Sequence, residues 1–273
     1  MLGSCLEAVR REAPLIHCIT NYVTVNDVAN VLLACGASPV MADDPGEAGD
    51  VTARCAALTL NLGTLHQHTL PAMEAAARRC VDLGRPLVLD PVGAGGAPLR
   101  TRSALQLLDQ FPFTAVRGNI SELRALTQGT ENTRGVDAAL TDAVSGSDPE
   151  AAAAFAKAAA RRLGAIVSIT GSADLVSDGT TCYVIRNGRP EMRKITGTGC
   201  QLSALTAAFL SANPDRPLEA AAAAAVCMGV AGEIGWSHLA PYEGNATYRC
   251  RIIDAVFHMD GPTLDKGANY ELR

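Results

Sequence analysis

Apolar positions along the chain follow two spacings in turn. Compact apolar runs at 14–21, 38–41, 57–63, 86–91, 113–117 and 165–170 read as buried strands. Between them lie stretches whose apolar residues recur at helical spacing: 2–11, 24–35, a segment ending near Cys55, 70–83, 101–110, 119–126 and 149–163. Gly36 stops the second of these helices. Residues 175–185 read as a hairpin with Asp178-Gly179 as its turn. Three more helical stretches follow, at 201–210, 218–236 and 246–259, and the tail from Gly261 reads as irregular. The polar, glycine-bearing stretch 128–148 has little periodicity and reads as a surface excursion.

Strands that alternate with helices predict an α/β fold: a mostly parallel central sheet with helices on both faces. No Pro/Gly/Ser-rich linker divides the chain, so residues 1–273 are expected to form one domain. In such sheets ligands bind beyond the carboxyl ends of the strands. The residues there are Thr20-Asn21, Met41, Asn61-Leu62-Gly63, Asp90 with the glycine run 93–96, Arg117-Gly118-Asn119, Thr170-Gly171 and the turn Thr196-Gly197-Thr198-Gly199-Cys200. That last turn runs straight into an apolar helix. Its glycines permit close approach, and the first helical amides are free donors backed by the helix dipole, which suits a phosphate or a developing oxyanion.

Composition narrows the partners. The net charge of −5 argues against nucleic acid or an anionic membrane as the main partner. Nine cysteines are scattered without a C-x-x-C pair, so they read as buried thiols of a reducing compartment. The N-terminus lacks a basic region followed by an apolar core, and no apolar run has the character of a membrane span; the expected location is cytoplasmic.

The candidate chemistry lies in a few polar residues. Asn119-Ile120-Ser121-Glu122 fits a helix capping box, and it equally fits a carboxylate that holds magnesium through water. Asp90 is either a turn-forming aspartate before Pro91 or a second metal carboxylate, and Arg117 stands at a neighbouring strand end. No Gly-Lys-Ser or Gly-Lys-Thr occurs, which excludes a Walker-type loop. The run 93–98 imitates a dinucleotide fingerprint, but Pro98 occupies the place of the third glycine, which disfavours an NAD-dependent oxidoreductase. His66 and His68 lack a nearby third ligand and read as loop or helix-cap residues. The retained carboxylates also disfavour a catalytically silent binding protein.

Taken in order, the segments 14–23, 36–41, 61–65, 89–95, 117–122 and 196–200 resemble the hydroxyethylthiazole kinase family of the ribokinase-like superfamily, over about residues 14–257. The resemblance implies ATP-dependent, magnesium-requiring phosphorylation of the primary alcohol of 4-methyl-5-(2-hydroxyethyl)thiazole, for thiamine salvage. It implies that Asn21, Val23, Met41 and Gly197 line the thiazole pocket, and that Arg117 and Thr170 contact the nucleotide phosphates with Asn119 and Gly199 beside them. Asp90 and Glu122 would serve magnesium, Cys200 would stand at the catalytic position by the substrate hydroxyl, and the assembly would be a homotrimer. Another small-alcohol kinase of the same fold, of pyrimidine or pyridoxal type, is the alternative. Many superfamily members carry Asp where this chain has Cys200. A thiolate at a helix N-terminus could act there as base; alternatively, positioning and charge neutralisation supply the rate of a loose phosphoryl transfer.

Overall fold

The computed structural model describes residues 1–128 and 148–273; the stretch read as a surface excursion lies almost wholly outside the described residues. One sheet organises them, with strands β1 (Leu15–Ile19), β2 (Ser38–Val40), β3 (Ala57–Asn61), β4 (Leu87–Asp90), β5 (Ala115–Asn119), β6 (Ile166–Thr170), β7 (Asp174–Ser177), β8 (Cys182–Ile185) and β9 (Tyr270–Leu272). The order across the sheet is β2-β1-β3-β4-β5-β6-β7-β8-β9. The strands from β2 to β6 are parallel, and β7, β8 and β9 continue the sheet antiparallel.

The helices are α1 (Gly3–Glu12), α2 (Val25–Cys35), α3 (Ala48–Thr52), α4 (Thr69–Asp82), α5 (Pro98–Gln110), α6 (Ile120–Gln128), α7 (Pro149–Leu163), α8 (Thr198–Ala212), α9 (Pro217–Ser237), α10 (Asn245–His258) and α11 (Gly261–Gly267), with a 3-10 turn at Pro190–Lys194. Two hydrophobic clusters cover the two sides of the sheet. One gathers residues of α1, α2, α8, α9 and α10, and the other those of α4, α5, α6 and α7. The central strands β3 and β4 are buried along their whole length, and β6 up to its last residue, Thr170, as parallel strands covered on both faces must be. The mostly parallel α/β architecture expected from the pattern is therefore the one found.

Two differences concern the C-terminal part. The tail is ordered: Asp260 caps α11 by accepting from the Thr263 N–H, and β9 pairs with β8 through the register Val184↔Glu271. A three-residue edge strand carries too few residues to display a period, and its exposed–intermediate–exposed burial leaves no apolar run to notice. The second concerns α9, which by length and composition could cross a membrane. Alanines 220–225 are entirely buried between α8, α10 and the sheet, so its apolarity serves the core of this protein.

Candidate active site

The carboxyl ends of the parallel strands converge on the start of α8. Gly197 caps that helix with φ +93°, and a β-carbon there would stand 2.6 Å from Thr24 Cγ2, so the turn closes only around glycine. Thr198, Gly199 and Cys200 then form the first helical turn, where backbone N–H groups have no partner within the helix. Gly199 matters for a second reason. The Arg117 guanidinium lies against its α-carbon, and any β-carbon would meet the guanidinium nitrogens.

Arg117 is nine-tenths buried and reaches in three directions. Its Nη2 donates to Thr170 Oγ1 at 2.8 Å, its Nη1 stands 3.8 Å from Asp90 Oδ1, and it packs on Gly199. Asp90, at the end of β4, is fully buried. Its Oδ2 accepts from Ser203 Oγ at 2.7 Å and from Asn61 Nδ2 at 2.8 Å. Its Oδ1 accepts no hydrogen bond and the Arg117 Nε donates none, though both atoms are buried. Burial pushes the Asp90 carboxyl up, with Arg117, Ser203 and Asn61 pulling against it.

The polar chain continues to the thiol. Cys200 Sγ accepts from Asn21 Nδ2 at 3.2 Å and Asn61 Nδ2 at 3.3 Å, while Asn21 Oδ1 accepts from the Thr24 hydroxyl and amide. Burial raises the Cys200 thiol above its ordinary value of 9.0, the nearby Asp90 raises it further, and the hydrogen bonds lower it less. Removal from water beside a carboxylate therefore works against the thiolate that a helix N-terminus would favour.

Glu122 performs the capping box in full. Its Oε2 accepts from the Asn119 N–H at 2.8 Å, and Asn119 Oδ1 accepts from the Glu122 N–H at 3.0 Å. The other oxygen, Oε1, accepts from the Gly93 N–H at 2.9 Å and so ties the glycine run after β4 to the start of α6. The same carboxylate lines the cleft, so capping and cleft-facing coexist in one residue. Pro98 is the first residue of α5, as its place in the false dinucleotide fingerprint requires.

Two clefts meet at this junction. One, of about 470 Å³, is lined by Arg117, Thr170, Asp174, Arg186, Arg189 and Gly199 among others. Asp174 in it carries a carboxyl that burial pushes up to about 6, against the Gly171 N–H and Arg117. The second, of about 460 Å³, contains Asn21, Val23, Asp90, Glu122, Gly197 and Cys200 together with Asn119. Arg117, Thr170 and Gly199 border both. Met41 is not in the second cleft. It lines an adjoining recess of about 200 Å³ with Tyr22 and His66, and this recess shares Gly63 and Thr64 with the second cleft.

All the site residues expected from the sequence thus fall within these adjoining spaces. Sequence reasoning passed over Ser203, Thr24 and Arg100. Ser203 carried a signal, since it lies one helical turn after Cys200 and so returns to the same face. His66 stacks on Tyr22 at 5.8 Å and His68 is the residue before α4, consistent with loop and cap positions. Among the described residues no group of three or more His, Cys, Asp or Glu side chains could hold a metal.

The chain is similar to known proteins over nearly its whole length. The model of the hydroxyethylthiazole kinase family matches residues 6–261. The hydroxyethylthiazole kinase of Clostridium acetobutylicum is 50% identical over 271 residues, covering 99% of both chains. The solved structure of the hydroxyethylthiazole kinase from Pyrococcus horikoshii OT3 superposes with a TM-score of 0.87 at 33% identity, covering 100% of this chain and 98% of that one. A pyridoxal kinase from Staphylococcus aureus, solved with AMP-PCP and pyridoxal, shares the fold at a TM-score of 0.61 and 16% identity, over 95% of this chain and 97% of its own. Strand for strand and turn for turn, the chain belongs to the hydroxyethylthiazole kinase family.

Proposed function

We propose that this protein transfers the terminal phosphoryl group of ATP to the primary hydroxyl of 4-methyl-5-(2-hydroxyethyl)thiazole, giving the phosphate ester used in thiamine salvage. The observation that carries the reading is the meeting of two clefts at Arg117, Thr170 and Gly199, directly over the free amides of α8. The arginine-rich cleft suits a triphosphate, and the cleft with Asn21, Val23, Gly197 and Cys200 suits a small neutral alcohol, with Met41 bounding it from the adjoining recess. One sheet edge supplies both, which supports taking residues 1–273 as one domain.

The division of labour follows from the contacts. Arg117 and Thr170 engage phosphate oxygens, with Gly199 and Asn119 at the border, and the amides of residues 198–200 stabilise charge spreading over the transferred group. Asp90 and Glu122 would hold magnesium. The buried Asp90 Oδ1, which accepts no hydrogen bond, fits that task, and a two-carboxylate site suits an ion that keeps water and phosphate in its shell. When bound, magnesium would neutralise phosphate charge. Cys200 stays a neutral thiol, fixed by Asn21 and Asn61, and helps place the substrate hydroxyl beside the turn. A homotrimer is the assembly the family resemblance implies. Exposed Tyr22, Val23, Leu33 and Phe257, on or beside the mutually packed α2 and α10, support it.

The test is ADP release from ATP with thiazole, pyrimidine and pyridoxal alcohols offered in turn. We expect turnover with the thiazole alcohol, abolished by a metal chelator and restored by magnesium. Preference for another alcohol would replace the substrate assignment, and undiminished turnover with chelator would remove magnesium from it.

A further inference from the structure

His17 lies in the middle of β1, beside Val40 of β2 in one direction and Leu58 of β3 in the other. It is fully buried, yet both ring nitrogens have polar partners. Nε2 lies 2.8 Å from the Ala42 carbonyl oxygen, and Nδ1 lies 2.7 Å from Thr52 Oγ1. A carbonyl only accepts, so Nε2 carries the proton and donates to Ala42, and the Nδ1 of the neutral ring shares the Thr52 hydroxyl proton with the Ala48 carbonyl, which lies 2.8 Å from Thr52 Oγ1. Burial lowers the imidazole's proton affinity, in keeping with this neutral, one-donor, one-acceptor arrangement.

The two partners stand at opposite ends of a single loop. Ala42 follows β2, and Thr52 is the last residue of α3. Between them runs the acidic segment Asp43-Asp44-Pro45-Gly46-Glu47, largely exposed. Met41, Ala42 and Asp43 form one wall of the recess that also holds Tyr22 and His66. Apart from His17, the strand that begins this wall is short: β2 has three residues and pairs on one side with β1. A wall carried by a short edge strand needs a tether, and an isolated buried imidazole with both nitrogens used serves as one.

We propose that His17 is a positioning residue: it rivets the Met41–Asp43 wall to α3 and so sets the shape of the recess that bounds the alcohol's cleft at Met41. This rests on the reading of that recess as the alcohol's side of the site. His17 touches no substrate. It acts through Ala42 and Thr52, and its removal loosens one wall while the arginine-rich cleft and the α8 turn keep their shape.

Two measurements on the full chain test it. In His17→Phe, amide hydrogen exchange without any substrate should quicken over residues 41–53 and stay unchanged elsewhere. In the same variant KM for the thiazole alcohol should rise about tenfold, the scale of a lost buried hydrogen bond, with kcat and KM for ATP within about twofold of wild type. His17→Gln, which keeps a donor for Ala42, should recover most of the alcohol KM. Unchanged exchange over 41–53 overturns the proposal, as does exchange that quickens throughout with both KM values rising together, since that is the behaviour of mere core filler. If His17→Phe does not fold, Thr52→Val, which removes the Nδ1 partner along with that hydroxyl's bond to the Ala48 carbonyl, is read by the same criteria. The exchange result stands without turnover, so a wild type that phosphorylates no alcohol would refute the proposed function while leaving the rivet to be judged separately.

Discussion

Cys200 stands where a proton acceptor would be placed, yet its surroundings favour the protonated thiol. Desolvation and the Asp90 carboxylate raise its pKa, and the side-chain donors that would stabilise a thiolate compensate only in part. The thiolate is therefore a minor species at neutral pH, and its share rises about tenfold per pH unit towards a pKa above the ordinary 9.0. A reaction that depended on it would accelerate steadily with pH up to that point. Phosphoryl transfer with a loose transition state needs little proton removal before the phosphorus–oxygen bond forms. We expect Cys200→Ser to retain turnover within about tenfold of wild type, with a pH–rate profile parallel to wild type from about pH 6.5 to about 8.5. A wild-type rate that climbs tenfold per pH unit, and a Ser variant that does not, would make the thiol a true base.

At the scale of elements, α6 shows how a helix start can hold two tasks. Its capping box is complete, and each carboxylate oxygen of Glu122 accepts one backbone N–H. The second lone pair of each oxygen remains for the cleft. In Glu122→Gln one oxygen becomes an amide nitrogen, so one of those backbone bonds is lost together with the charge. The lost cap should cost about 1 kcal/mol of stability, while turnover falls about 10²-fold and the magnesium concentration for half-activation rises. A variant that loses the stability but keeps the turnover would make Glu122 a cap and nothing more. The sequence could state both possibilities because Asn119 and Glu122 are three residues apart, but spacing alone does not say which oxygen faces where. The same limit explains the other gains and gaps. The central strands were legible because both faces are buried and the runs are continuously apolar, whereas β9 was not, since its residues alternate at an exposed edge. The site's strand ends were legible from small and polar residues after each run. Ser203 and the two partners of His17 were hidden because their pairing joins positions far apart in the chain: Ser203 to Asp90 across 113 residues, His17 to Thr52 across 35.

At the scale of the whole molecule, an apolar surface lies near the cleft that contains Cys200, and the other described residues do not cover it. Tyr22 and Val23 are 67% and 57% exposed just before α2, Leu33 is 56% exposed on α2, and Phe257 is 62% exposed near the end of α10. Val23 also lines the cleft that contains Cys200, so whatever covers this surface borders that cleft. A second copy of the chain fits the requirement, because closed symmetric assembly repeats one contact without leaving an unpaired face. If the assembly is a trimer, its mass in solution is three times 28.3 kDa, about 85 kDa, by light scattering. Leu33→Glu places a charge on the apolar surface away from the α8 turn, and burying an unpaired carboxylate in an interface is costly. That variant should fall to the mass of one chain and keep its helical signal. Its KM for the alcohol should rise more than its KM for ATP, since the arginines of the other cleft come from β5 and the segment after β8, and no α2 residue lines it. A Leu33→Glu protein that stays at about 85 kDa would move the interface elsewhere. One that dissociates with both KM values unchanged would show that each chain builds its alcohol cleft alone.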